Sequence, residues 1–452
     1  MQDLTQGSVF RHLLKLAAPI AIGMLFQTLY VLVDLYFVAR LGDAAIAGVS
    51  TAGNLQFIIM ALTQVLGVGT MALIAQAVGR KDQGDANLVF NQSMLIAVAC
   101  TLATVVVGYA VTGPYTRALG ADAATSAAGT TYLYWFLPGM ALQYPLVAMG
   151  SALRGTGIAK PGMIVQMLTV LLNALLAPIL IAGWLTGHPL GVAGAGLASS
   201  IAIAVGMAMM TLYFVHLEKY VRFDAALFRL HPATWKRILR IGLPPGGELA
   251  VLFVFLGVIY LVIRPFGAEA QAGFGVGSRV MQAVFLPAMA VAFAVAPLAG
   301  QNAGAGLLAR VRTTFSHAAL LGSVLMLLLT LFCQWRPELL VHFFTSDPPV
   351  IAVGADYLRI ISWNFVAQGI IFSCSGMFQA LGNTLPSLYS SASRLLTFAL
   401  PAFWMSTRPG FDLRHVWYLS VATVTLQMCM SLWLLRREMR RREAIAAVPA
   451  AA

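Results

Sequence analysis

Asp34 stands in Val33-Asp34-Leu35-Tyr36, inside an apolar run that extends from about Leu13 to Ala39. About 20 apolar residues suffice to cross a bilayer core as a helix, and a carboxylate placed inside such a run is costly enough to imply a use. Two uses fit. A carboxylate that reaches a water-filled vestibule, or is capped by a neighbouring hydroxyl, is structural; a desolvated one has a raised pKa and can be neutralised by a proton or by sodium, which makes Asp34 a candidate ion site. Glu248 follows Pro244-Pro245-Gly246-Gly247 near the start of a later apolar run. There it reads either as a second ionisable site or as a wetted carboxylate favoured by a helix N-terminus. Gln143 and Gln368 sit mid-run, suited to line a cleft or to bond between helices, and Arg279 and Arg394 either balance carboxylates or snorkel to an interface. Asp356 and Arg359, three apart on one helical face, predict a local ion pair. Pro19 and Pro244 each remove a backbone hydrogen bond within a spanning run, so both predict a kink or a hinge.

The elements that must hold these residues are membrane helices. Hydrophobic residues make up 60% of the 452 and charged residues 10%, far below the roughly one quarter charged in a soluble domain. Apolar runs predict helices at 13–39, 46–72, 88–112, 127–150, 161–184, 191–216, 236–263, 271–298, 313–335, 352–376, 386–406 and 414–435. The first run is too long for a cleavable signal and reads as a retained helix. The net charge of +12 is spread over short connections rather than gathered on one soluble face, so no nucleic-acid partner is expected. With the N-terminus inside, the cytoplasmic loops and tail collect 19 basic residues and the opposite side six (Arg40, Arg117, Arg264, Arg336, Arg408, Arg414). That bias predicts that both termini are cytoplasmic.

An internal repeat organises the run of helices. At an offset of 225 positions Pro19 meets Pro244, Gly48 meets Gly273, Gln76 meets Gln301, Asp122 meets Asp347, Gly129 meets Gly354, Tyr132 meets Tyr357 and Gln143 meets Gln368. Agreement at Gly, Pro, Gln, Asp and Tyr is not what two merely apolar sequences share by chance. The predicted fold is an all-α membrane protein of two parallel six-helix lobes related by a pseudo-two-fold axis along the membrane normal, with a cleft between them. The lobes are 1–217 and 236–452, joined by a cytoplasmic linker at 218–235. Asp34 has Ile259 as its repeat mate, and Glu248 has Gly23, so the lobes differ in chemistry.

Several classes are excluded. Gly155-Thr156-Gly157-Ile158-Ala159-Lys160 lacks the spacing and the terminal Ser or Thr of a phosphate loop, so ATP is not the energy source. The seven histidines and four cysteines show no metal or disulfide spacing, and no nucleophilic triad stands out, so neither an enzyme nor a cofactor is expected. The twenty methionines and the aromatics, Tyr36 among them, offer a cleft a soft surface for apolar organic cations.

Together these features resemble the multidrug and toxic compound extrusion (MATE) family over roughly residues 8 to 436. The resemblance is carried by Val33-Asp34-Leu35-Tyr36-Phe37-Val38-Ala39-Arg40-Leu41-Gly42, by Leu153-Arg154-Gly155-Thr156-Gly157 before Pro161, and by Pro297-Leu298-Ala299-Gly300-Gln301-Asn302-Ala303-Gly304-Ala305-Gly306. It implies an antiporter that expels organic and often cationic compounds while sodium or protons run inward; the expected setting is a bacterial plasma membrane, and the expected state a monomer. Asp34 matches the family's ion-binding carboxylate. One branch adds an Asn and an Asp on the fifth helix and a Thr on the sixth; this chain keeps Asn173, has Ala177 in place of the Asp, and has Ser199 in place of the Thr. Another branch places a Glu on the seventh helix and an Asp on the tenth. Here those positions are Leu252 and Gln368, with Glu248 one turn earlier as a substitute. The rivals are a lipid or lipid-linked-sugar flippase of the same superfamily, which favours a cationic cleft, and a non-transporting scaffold, which has no need of Asp34.

Overall fold

The computed structural model describes residues 1–120 and 122–447, so the last five positions of the expected second lobe lie outside it. Among these residues the chain forms fourteen α-helices: α1 Val9–Ala39, α2 Asp43–Gly79, α3 Gln83–Leu119, α4 Ala123–Gly155, α5 Lys160–Ile181, α6 Val192–His216, α7 Pro232–Ile263, α8 Ala268–Gly304, α9 Leu308–Trp335, α10 Pro337–His342, α11 Pro348–Ile361, α12 Asn364–Ala380, α13 Leu385–Ser406 and α14 Leu413–Ala447. Helices dominate because a membrane span must satisfy its own backbone. Ten of these are long and apolar enough to cross singly, and α11 with α12 forms one span bent by 59°. The twelfth, α13, is less apolar because it carries Arg394 and five serines.

The bend corrects the expectation of one straight helix over 352–376. It falls at Ser362 and Trp363, with no proline, and α9 supplies the bonds that the break releases. Thr330 Oγ1 donates to the Ser362 carbonyl at 2.9 Å, and Gln334 Nε2 donates to the Arg359 carbonyl at 2.6 Å. Conversely, α1 runs through Pro19 and α7 through Pro244 and Pro245 as single helices.

Two compact units make up the fold. The first comprises Met1–Asp3 and Ala18–Gly242, the second Leu4–Ala17 and the chain from Leu243 onward. The borders, Ala17/Ala18 and Gly242/Leu243, are themselves 225 positions apart, and each lies two residues before the prolines Pro19 and Pro244. Both repeats therefore lend the first turns of their leading helix to the other unit, which a division at 217 and 236 does not anticipate. Packing explains it. In the first unit a Cβ on Gly242 would sit 1.8 Å from the Val65 carbonyl oxygen, so the start of α7 lies directly on the backbone of α2. Arg237 clasps Asp85 through two bonds of 2.8 and 2.9 Å. In the second unit the Leu4 amide donates to Gln301 Oε1 at 3.0 Å, and Arg310 reaches the carbonyls of Gly7 and Leu4 at 3.0 and 3.3 Å.

The stretch 218–231 is an ordered strap on α3. Asn91 donates to the Arg222 carbonyl at 3.0 Å, Gln92 to those of Leu227 and Arg229 at 2.7 Å each, and Asn87 Oδ1 accepts from the Arg222 amide at 2.9 Å. Repeat glycines do matching work in each unit. A Cβ on Gly48 would lie 2.6 Å from Gly129 N, and one on Gly273 would lie 3.2 Å from Gly354 N. Each unit has its own apolar core, around Phe90, Tyr144 and Phe214 in the first and Phe274, Phe398 and Trp417 in the second.

Candidate functional site

Asp34 is buried on α1, within two turns of its C-terminal end. Tyr132 of α4 donates its hydroxyl to Asp34 Oδ2 at 3.3 Å. The other oxygen, Oδ1, is buried and has no hydrogen-bond partner among the described residues. Tyr30 stands one turn back on the same helical face, close enough to Asp34 to interact with its charge, and its hydroxyl lies beside Ser199 of α6. Neither of those hydroxyls makes a hydrogen bond with the described residues. Asn173 of α5 is completely buried, with both amide atoms unpartnered.

Buried polar atoms in native proteins are nearly always paired, and leaving one unpaired costs about 1–3 kcal/mol. The unpaired groups of the first unit include Asp34, Tyr30, Ser199 and Asn173, all on α1, α5 and α6. Their acceptors are oxygens, one of them a carboxylate, which suits a hard cation or a proton and offers nothing to a thiophilic metal. The repeat supplies a control. The equivalents of Tyr30, Asp34, Asn173 and Ser199 in the second unit are Phe255, Ile259, Phe398 and Val424, every one apolar and buried. Phe255 and Phe398 touch, with ring centroids 4.8 Å apart. Only Tyr132 keeps its type, as Tyr357. The architecture thus tolerates an apolar filling at these positions, and the first unit carries a polar one.

Glu248 requires a correction. It lies sixteen residues into α7 (232 to 248) rather than at a helix start. Its Oε1 is buried without a partner among the described residues, and Ser387 of α13 stands within hydrogen-bonding reach of the carboxylate. Leu252, the position that Glu248 was expected to replace, is 45% exposed. Glu248 shares its side of α7 with Phe255 and Ile259 instead.

The remaining candidates separate. Gln143 exchanges amide bonds with Gln56 at 2.9 and 3.4 Å, which ties α4 to α2. Gln368 is half-buried. Arg279 is exposed and forms no ion pair among the described residues, so it balances no carboxylate. Tyr36 is 55% exposed, with the Arg40 guanidinium 4.5 Å from its ring centre. Asp356 and Arg359 do not pair with each other: Asp356 takes a two-bond contact from Arg414, and Arg359 pairs with Glu338 of α10. Sequence reasoning passed over Tyr30 and gave Tyr132 no role beyond its repeat pairing. The sequence marks Tyr30 only by its place four residues before Asp34.

Comparison with known proteins agrees with this architecture. Residues 19–179 and 247–404, one block in each repeat, match the MatE family. The probable multidrug resistance protein NorM of Thermotoga maritima is 26% identical over 436 residues, covering 93% of this chain and 91% of its own length. The probable multidrug resistance protein YpnP of Bacillus subtilis is 25% identical over 421 residues, covering 92% and 90%. A crystal structure of MATE in the bent conformation shares the fold, with a TM-score of 0.92, 24% identity and 98% of each chain covered. With both repeats matched over most of their length, the chain belongs to the MatE family of multi-pass membrane transporters.

Proposed function

We propose that this protein exports organic compounds from a bacterial cell by antiport, with protons or sodium entering in exchange and Asp34 as the residue that takes up the incoming ion. The relatives named for multidrug resistance support the export of drug-like molecules. The observation that carries the coupling is the unpartnered, buried Oδ1 of Asp34 beside the equally unpartnered Tyr30 and Ser199. Tyr132 holds the other carboxylate oxygen, so the free one keeps a fixed orientation. While Asp34 is anionic its charge lacks a counter-charge, and neutralisation removes that penalty and lets α1 repack. A ligand shifts such an equilibrium only by its differential affinity for the two states, and an uncompensated carboxylate supplies that difference. Asn173 and Ser199 complete an oxygen set for sodium, and Glu248 is a second, weaker ionisable position. The basic bias of the loops supports cytoplasmic termini in the plasma membrane.

Dye efflux from vesicles reconstituted with the protein, under separately imposed sodium and proton gradients, tests this reading. One of the two gradients should drive efflux several-fold above the rate in vesicles without a gradient. Efflux indifferent to both would rule out ion coupling.

A further inference from the structure

Arg394 is the only basic residue on the inward side of α13, and the second unit gives it no counter-charge among the described residues. Its side of the helix is set by the stripe Ser387, Ser390 and Phe398, all buried, which lies within about 40° of it. The opposite side carries Tyr389, Leu396, Leu400 and Phe403, exposed and apolar as a lipid-facing surface should be. Snorkelling along that outer side is therefore not what Arg394 does. Its Nε is buried without a hydrogen-bond partner, and its guanidinium carbon lies 4.3 Å from the centre of the Phe255 ring. Tyr357 is near enough to interact with the charge. Phe398 packs on Phe255, and Trp417 packs on Tyr357 with ring centroids 4.7 Å apart.

This is the region equivalent to the Asp34 cluster, with the sign of the charge reversed. Phe255, Ile259 and Phe398 replace Tyr30, Asp34 and Asn173, and Arg394 replaces Thr169. A cation over one aromatic face recovers only part of the cost of burying a guanidinium, whose fork of donors is built for a carboxylate or a phosphate. Glu248 does not fill that role. On α7 it lies seven residues from Phe255, about 10 Å along the helix, beside Ser387, which is equally seven residues from Arg394 on α13.

We infer that Arg394 is a binding group for the anionic moiety, a carboxylate or a phosphate, of an aromatic amphiphile. The inference rests on the export reading for its biological sense, but binding can be measured without transport. The ligands of the second unit are then acids, in addition to any cations that the protein carries.

The test is binding of 1-pyrenebutyrate, its uncharged methyl ester and ethidium to the purified full-length protein in phosphatidylcholine nanodiscs, with empty nanodiscs subtracted. The wild type should bind the acid at least about tenfold more tightly than the ester, the size of one charge-assisted contact. Arg394→Gln and Arg394→Met should lose that preference while keeping the wild-type affinity for ethidium, and Arg394→Lys should keep part of it. Repeating the measurement with half of the lipid replaced by phosphatidylglycerol separates the two sources of the anion. Unchanged affinity assigns the site to free acids, and Arg394-dependent competition assigns it to a lipid headgroup. Equal binding of acid and ester by the wild type, which needs no variant, would overturn the inference, as would an acid preference that survives in Arg394→Gln. Ethidium export without binding of the acid sinks this inference alone, and binding of the acid without export of any dye sinks the export reading alone.

Discussion

At the scale of residues, the first unit keeps polar groups where the second keeps apolar ones, and that difference makes a separable prediction. If Ser199 served only packing, its unpartnered hydroxyl would be a pure cost, and Ser199→Ala should raise stability by up to about 1–3 kcal/mol with no loss of transport. If the hydroxyl belongs to the ion site, the variant is at least as stable as wild type by thermal unfolding in detergent, yet its gradient-driven efflux falls several-fold. Retained efflux in Ser199→Ala would leave the serine outside the site. Tyr30→Phe should behave in the same way, since its ring remains and only the orphan hydroxyl is removed. Asp34 was legible in the sequence because a carboxylate in an apolar run has no cheap explanation. Tyr30 was not, because a tyrosine in such a run is ordinary until the structure shows its hydroxyl unpaired. Arg359 misled for a related reason: spacing on one helix offers a partner, while Glu338, twenty-one residues away, takes it.

Among the elements, α1 and α7 carry most of the consequence, since both cross from one compact unit to the other just before a proline. A proline removes one backbone bond and so lowers the cost of bending there. Pro19→Ala should therefore leave the amount of membrane-inserted protein unchanged and slow efflux; unchanged kinetics at equal expression would make the proline merely tolerated. Glycines on α7 separate close approach from open space. Gly242→Val places a side chain 1.8 Å from the Val65 carbonyl oxygen and should destabilise by ~3 kcal/mol or more, because backbone must move. Gly257, with nothing within 4 Å of a Cβ, should gain about 0.5–1 kcal/mol on substitution by Ala. Thermal midpoints of the two variants in one detergent check the contrast, and a stable Gly242→Val would show that α7 does not pack on α2 as described. The long helices were readable from apolar runs, whereas the break within 352–376 and the short α10 were not. The α11–α12 bend depends on α9 side chains that donate to its freed carbonyls, a long-range fact with no local marker.

For the whole molecule, the repeat was the feature most fully present in the sequence, because two copies that share glycine contacts and capping positions leave the same residues at the same offset. The exchange of leading helix turns was absent from it, since those turns mix apolar residues with Arg11 and Lys15 in one repeat and Lys236, Arg237 and Arg240 in the other, and nothing local marks the unit on which they rest. The loop charges predict a C-terminus in the cytoplasm, so a reporter fused there that is active only outside would contradict the topology. Underlying the proposed export cycle is one claim, that Asp34 converts an ion gradient into transport. Asn keeps the size and hydrogen-bonding capacity of Asp but cannot be neutralised by a proton or by sodium, and a neutral amide is cheaper to bury than an unpaired carboxylate. The direct measurement is dye efflux from vesicles containing equal amounts of wild type and Asp34→Asn under the driving gradient. The variant should insert, bind dye and show no gradient-driven efflux, whereas efflux at the wild-type rate would contradict the coupling role and return Asp34 to a structural one.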